Sequence, residues 1–141
     1  MFKISKPVEY ALIALKHIAQ ANADGPTAVR EICEQYNTSF DVTSRALQHL
    51  ARHGIVQAER GVTGGYRLTC DLGEVSFYDL LQFVDGPLRV VPCLDQSRSC
   101  KCDAGQDCAI LPPMMKLNNR LDHFLKTLTV KELFSTETLE N

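Results

Sequence analysis

Four of the chain's six cysteines fall within 16 residues, Cys93-Leu94-Asp95-Gln96-Ser97-Arg98-Ser99-Cys100-Lys101-Cys102-Asp103-Ala104-Gly105-Gln106-Asp107-Cys108. The residues between them are polar or small and show no apolar period, so this stretch cannot build a core of its own. Something other than packing must order it: thiolates this close either share a metal centre or pair with one another. The stretch also divides the chain. Helical and hairpin patterns precede Cys93, and a helical segment returns after Cys108.

The segment before the cysteines reads as short amphipathic helices. Pro7 suits the first turn of a helix, and Val8, Ala11, Leu12, Leu15, Ile18 and Ala19 recur at three- and four-residue spacing. Asn22-Ala23-Asp24-Gly25-Pro26 ends that helix. A second helix is expected from Ala28 to about Tyr36, with Val29, Ile32 and Cys33 inward; Cys33 reads as a small core residue. Ser39 is a suitable N-cap for a third helix reaching His53, with Phe40, Thr43, Ala46, Leu47 and Leu50 on its inner face and Gly54 as its stop. Two short helices joined by a tight turn are the minimum for a helix-turn-helix, whose second helix enters the DNA major groove.

Two strand-like segments follow, Ile55-Val56-Gln57-Ala58 and Tyr66-Arg67-Leu68-Thr69. The loop between them, Glu59-Arg60-Gly61-Val62-Thr63-Gly64-Gly65, contains three glycines and a basic residue. After a helix-turn-helix, such a hairpin reads as a wing. Gly61, Gly64 and Gly65 allow close approach to phosphates, and Arg60 can reach a minor groove. Charge agrees: residues 1–68 hold eight Lys/Arg against six Asp/Glu, while residues 69–141 hold seven against eleven. Only the front of the chain suits a phosphate partner, although the net charge is −2.

Ser76 and Asp79 form a capping-box pattern for a fourth helix, with Phe77, Leu80, Leu81 and Val84 inward, ended by Asp85-Gly86-Pro87. Beyond the cysteines, Pro112-Pro113 restarts a helix in which Met114, Leu117, Leu121, Phe124 and Leu128 follow a coiled-coil period. This seam is too short to hold two chains unaided and is expected at the centre of a larger dimer interface. Thr129 and Glu132 cap a short last helix. The expected fold is mainly α with a small β-hairpin. It comprises a winged helix-turn-helix domain (1–86), a cysteine-rich loop (87–111), and a long dimerisation helix with a C-terminal tail (112–141).

No apolar run approaches the roughly 20 residues needed to cross a bilayer, and the N-terminus lacks the features of a secretory signal. A cytoplasmic location is expected, where thiols stay reduced and a cysteine cluster is more often a metal or redox site than a disulfide frame. The histidines His17, His49, His53 and His123 lie in helical patterns with no recurrent carboxylate partner, and no enzyme-like set of residues emerges. No small-molecule substrate or membrane partner is expected.

The order of these elements resembles the IscR/NsrR-type family of winged-helix transcription regulators over residues 2–134. The resemblance rests on Glu9-Tyr10-Ala11-Leu12, Leu50-Ala51-Arg52-His53-Gly54-Ile55-Val56, Arg60-Gly61-Val62-Thr63-Gly64-Gly65-Tyr66-Arg67-Leu68, Asp85-Gly86-Pro87, the cysteine loop and Thr129-Val130-Lys131-Glu132-Leu133. It implies a homodimeric repressor or activator that binds a palindromic operator on double-stranded DNA, and a repressor is expected here. It also implies a two-iron or four-iron sulfur cluster held by three cysteines. Cys102 and Cys108 have the family's spacing and Cys93 matches its first ligand, while Cys100 is extra. Where some members place a histidine ligand this chain has Leu111; others use an acidic residue from the partner's first helix, which corresponds to Glu9. Base and backbone contacts are expected from Ser39, Asp41, Val42, Ser44 and Arg45 of the third helix and from Arg60 of the wing. The alternatives are a cluster-free regulator with a structural zinc or a thiol–disulfide switch, and a small iron–sulfur electron-transfer protein.

Overall fold

The computed structural model describes residues 3–21, 25–94 and 108–135. Six helices and one hairpin follow in order: α1 (Lys6–Ala21), α2 (Val29–Tyr36), α3 (Phe40–Arg52), β1 (Val56–Glu59), β2 (Gly65–Leu68), α4 (Phe77–Val84), α5 (Leu111–Thr127) and α6 (Val130–Phe134). The fold is a winged helix-turn-helix followed by a long helix.

Helix α1 runs through the middle and packs on α2, α3, α4 and β2. Its apolar stripe is why: Val8, Ala11, Ala14, Leu15 and Ile18 are all buried. The small alanines let neighbouring helices approach closely, while Leu15 and Ile18 fill the space against Ile32, Leu47 and Leu50. Burying each of the larger side chains stabilises the fold by about 1.5–3 kcal/mol.

Local chemistry sets the ends of the elements. Asn37 ends α2 in the left-handed conformation (φ 53°), its N–H donating to the Cys33 carbonyl. The Ser39 hydroxyl accepts from the Val42 N–H at the start of α3. Both expected capping boxes, Ser76/Asp79 and Thr129/Glu132, are formed. They face each other: Phe77 N–H donates to Leu128 O (2.7 Å) and Val130 N–H to Val75 O (2.9 Å). The N-termini of α4 and α6 are thereby stitched together, and Val130 enters the same core as α1 with no exposed surface.

The hairpin pairs Val56 with Leu68 and Glu59 with Gly65. Thr27 adds one residue of a third strand through two hydrogen bonds with Tyr66, of 2.9 and 2.8 Å.

Three expectations need correction. Phe40 is not inward but 55 % exposed. As the first residue of α3 its Cβ points back toward the turn, where no core lies beneath it. The place below is filled by Thr43, fully buried, whose hydroxyl donates to Thr38 Oγ1 at 3.1 Å. Val29 and Cys33 are half-buried, leaving Ile32 as the single fully buried residue of α2. Finally, His17 does have a carboxylate partner: its Nε2 lies 2.9 Å from Glu31 Oε1 and its Nδ1 3.2 Å from Tyr36 Oη, clamping α1 to α2.

Candidate nucleic-acid interface and cysteine site

The outer face of α3 carries Asp41, Arg45, Gln48 and Arg52, all exposed, with Phe40 and Ser44 on the adjacent strip. Ser39 sits at the N-cap and Val42 and Ser44 are half-buried. Arg30 projects from the first turns of α2, and Arg60 is exposed at the base of the wing loop. Among the described residues, Arg30, Arg45, Arg52 and Arg60 make no ion pair, whereas Arg67 is held by Glu59 at 2.8 Å. The helix-turn-helix and wing thus present four guanidiniums, from α2, α3 and the hairpin loop, with no ion pair among the described residues and suited to phosphate and base-edge contacts.

The three wing glycines have different structural roles. Gly61 takes φ +115°, a conformation other residues rarely adopt, with open space around it. A Cβ on Gly64 would lie 2.5 Å from the Glu59 carbonyl. A Cβ on Gly65 would run into the backbone of Thr27 and Ala28. Gly64 and Gly65 are therefore required by the protein's own close backbone approach. Val62, at the tip, is fully exposed.

Of the four clustered cysteines, Cys93 is exposed in a 3-10 turn (Pro92–Leu94), and Cys108 is half-buried just ahead of α5. Cys100 and Cys102 lie outside the described residues. Cys93 and Cys108 are free thiols. Cys70, which the sequence reading did not single out, points its thiol toward the Ile55 carbonyl (3.8 Å). Burial, followed by the charges of Glu74 and Asp71, raises its pKa, so it stays a protonated thiol. Glu9 is exposed on the first turn of α1 and pairs with Lys6 at 3.0 Å. Among the described residues no three His, Cys, Asp or Glu side chains converge as a metal site.

The strand of chain entering the cysteine stretch is fixed to α5 by a contact that periodicity does not reveal. Asn118, buried in mid-helix, accepts from the Val90 N–H at 2.9 Å and donates to Asp122 at 3.3 Å. The second oxygen of Asp122 is buried with no hydrogen-bond partner among the described residues. The only sequence signal was a polar residue within an otherwise apolar row.

The five residues of the α5 seam divide between two faces. Met114, Leu121 and Leu128 form one heptad row and are half-buried; Leu121 faces Phe77 and Leu81 of α4, and Leu128 packs against the core. Leu117 and Phe124 form another row, 39 and 59 % exposed, with Met115 and Ile110 also open to solvent. Phe124 lines an open groove of about 770 Å³ with Pro112, Met115 and His123. No helix among the described residues is long and apolar enough to cross a membrane.

The family model described as Rrf2, iron-dependent transcriptional regulator, matches residues 4–136. The chain belongs to the Rrf2 family. Among curated Rrf2-type relatives, the HTH-type transcriptional regulator IscR of Cronobacter sakazakii is 25 % identical over 135 residues, covering 96 % of this chain and 82 % of the relative. Among solved structures, CymR, the global cysteine regulator of B. subtilis, superposes with a TM-score of 0.69 at 22 % identity, covering 94 % of this chain and 96 % of that one. IscR of T. potens gives 0.65 at 20 % identity over 94 and 85 % of the two chains. The winged helix-turn-helix is thus that of an Rrf2 DNA-binding transcriptional regulator.

Proposed function

We propose that this Rrf2 protein is a cytoplasmic homodimer that represses transcription from a palindromic operator, with an affinity set by an iron–sulfur cluster or the redox state of its cysteine loop. The observation that carries the DNA geometry is the set of four arginines without ion-pair partners among the described residues, spread over α2, α3 and the wing. Two copies of α3 would enter successive major grooves about 34 Å apart. Arg45 reaches a guanine, Ser39, Asp41, Val42 and Ser44 line the base edges, and Arg60 enters the minor groove beside the backbone of Gly61, Gly64 and Gly65. Arg30 and Arg52 meet phosphates. The exposed row of Leu117 and Phe124 on α5 faces the second copy, while Met114, Leu121 and Leu128 brace the helix from behind.

Cys93 and Cys108 suit a soft metal centre: both are free thiols at the two ends of the loop, and neither is committed to the core as Cys70 is. Cys93, Cys102 and Cys108 would hold the cluster, with the partner subunit's Glu9 as a hard and easily displaced fourth ligand; Leu111 has no donor atom. Cys100 stands beside them as an additional thiol. A bound cluster would supply a group responsive to iron and oxidants. The chain's own part is to carry the loop's order to α5 through the Asn118–Val90 hydrogen bond, and from α5 to α4.

A second reading, a colourless zinc or thiol–disulfide switch, is favoured by the exposure of Cys93 to solvent oxidants. Anaerobic purification with absorption, iron, sulfide and zinc analysis separates the two. Gel-shift titration of each form on duplex DNA then tests the control. Brown protein whose DNA affinity changes on cluster loss is expected; colourless protein with one zinc per chain, or affinity indifferent to the loop, overturns the cluster reading.

A further inference from the structure

Phe40 is the largest apolar side chain that the DNA-facing helix leaves in water, 55 % exposed at the first residue of α3. It is not part of the core or of the apolar residues packed against it. The inward space beneath it is already closed by Thr43 and its hydrogen bond to Thr38, and the ring lies over a shallow groove with Arg30, Cys33, Glu34 and Asn37. Its neighbours on the outer face, Asp41 and Arg45, are polar, and Arg30 and Arg45 make no ion pair among the described residues. The guanidiniums of Arg30 and Arg45, balanced in charge by Glu34 and Asp41, can reach phosphates or base edges beside the ring, and of the four base pairs only those with thymine offer an apolar group in the major groove, the C5-methyl.

We propose that Phe40 is a specificity-determining residue that reads a thymine methyl in each half-site, one strip away from the base edges assigned to Asp41 and Arg45. This rests on the placement of α3 in the major groove given above. The contact removes a methyl-sized apolar group from water, an effect of about fourfold in affinity per half-site.

The test begins with sequences enriched from random duplex DNA by the full chain, purified anaerobically and used with and without its cluster. Each thymine of the enriched site is then replaced by deoxyuridine, which removes the methyl and leaves every hydrogen-bonding group unchanged. Wild-type protein should lose about fourfold at one thymine per half-site. Phe40→Ala should bind the thymine and uracil duplexes equally, and Phe40→Leu should keep part of the difference. Because the ring is outside the core, both variants should melt with the wild type; a circular-dichroism scan checks this. A uracil penalty that persists in Phe40→Ala, or the lack of any thymine whose methyl matters, overturns the proposal while leaving the DNA interface standing. Enrichment of no duplex in any state would overturn the placement of α3 and this proposal together.

Discussion

At the scale of single residues, the wing shows how one amino-acid type carries different constraints within five positions. Gly65 is fixed by its closeness to the Thr27 backbone, which no side-chain movement can relieve. Gly65→Ala should force β2 away from Thr27, breaking the two hydrogen bonds with Tyr66, at a cost of about 1–3 kcal/mol. A urea melt measures the loss, and the loosened wing should weaken DNA binding in a gel shift. The thiols differ in the same residue-specific way. With its pKa raised, Cys70 remains protonated through neutral pH; its favourable neutral form is fully present below the unfolded thiol's pKa and lost as pH climbs through the folded one. Iodoacetamide at pH 8 should therefore alkylate Cys70 on the order of tenfold more slowly than the exposed Cys93, read by mass spectrometry of the tryptic peptides. Comparable rates would show the Cys70 environment to be open.

At the scale of elements, the sequence was legible wherever the signal was local. The caps at Ser39, Ser76 and Thr129 and the stop at Asp85-Gly86 rest on hydrogen bonds between residues three or four apart, and all of these helices begin and end within a residue or two of expectation. What failed was the reading of faces. Periodicity places Phe40 on the inner side of α3, yet it cannot say that the core stops one turn later at Thr43. Likewise a heptad register joins Met114 to Leu128, but only the arrival of α4 shows that one row is occupied by the chain's own core and the other is open. The Asn118–Val90 contact was illegible because its partners are 28 residues apart and joined by backbone, not by matching side chains. Its consequence is testable. Asn118→Leu leaves the Val90 N–H and the Asp122 carboxylate without their partner, so it should cost about 1–3 kcal/mol. Faster hydrogen exchange at the Val90 amide should accompany the loss while α3 amides keep their protection; unchanged exchange at Val90 would remove Asn118 from the coupling route.

At the scale of the whole molecule, the sequence suggested three consecutive units, with 1–86 as the DNA-binding one. The structure shows one core that draws on both ends of the chain. Val130 is fully buried among residues of α1 and α4, and the strand-like bridge between Ser76 and Thr129 locks it there. Val130→Ala should lower stability by about 2 kcal/mol, read in thermal melting, and a chain ending at Gly86 should melt below full-length protein or fail to fold cooperatively. Equal cooperativity of the short chain would show the core to be complete without α6.

For anyone recombining sensors and readers among relatives of this kind, the stitched ends of α4 and α6 decide where the scissors go. A chimaera joined at the cysteine stretch imports a foreign plug for a native socket, because residues 128–134 pack with the wing-bearing half although they follow the cysteines in the chain. The compatible exchange leaves residues 128–134 native, and a replacement for Leu88 to Thr127 must carry apolar residues that fit α4 where Leu121 and Leu125 now pack.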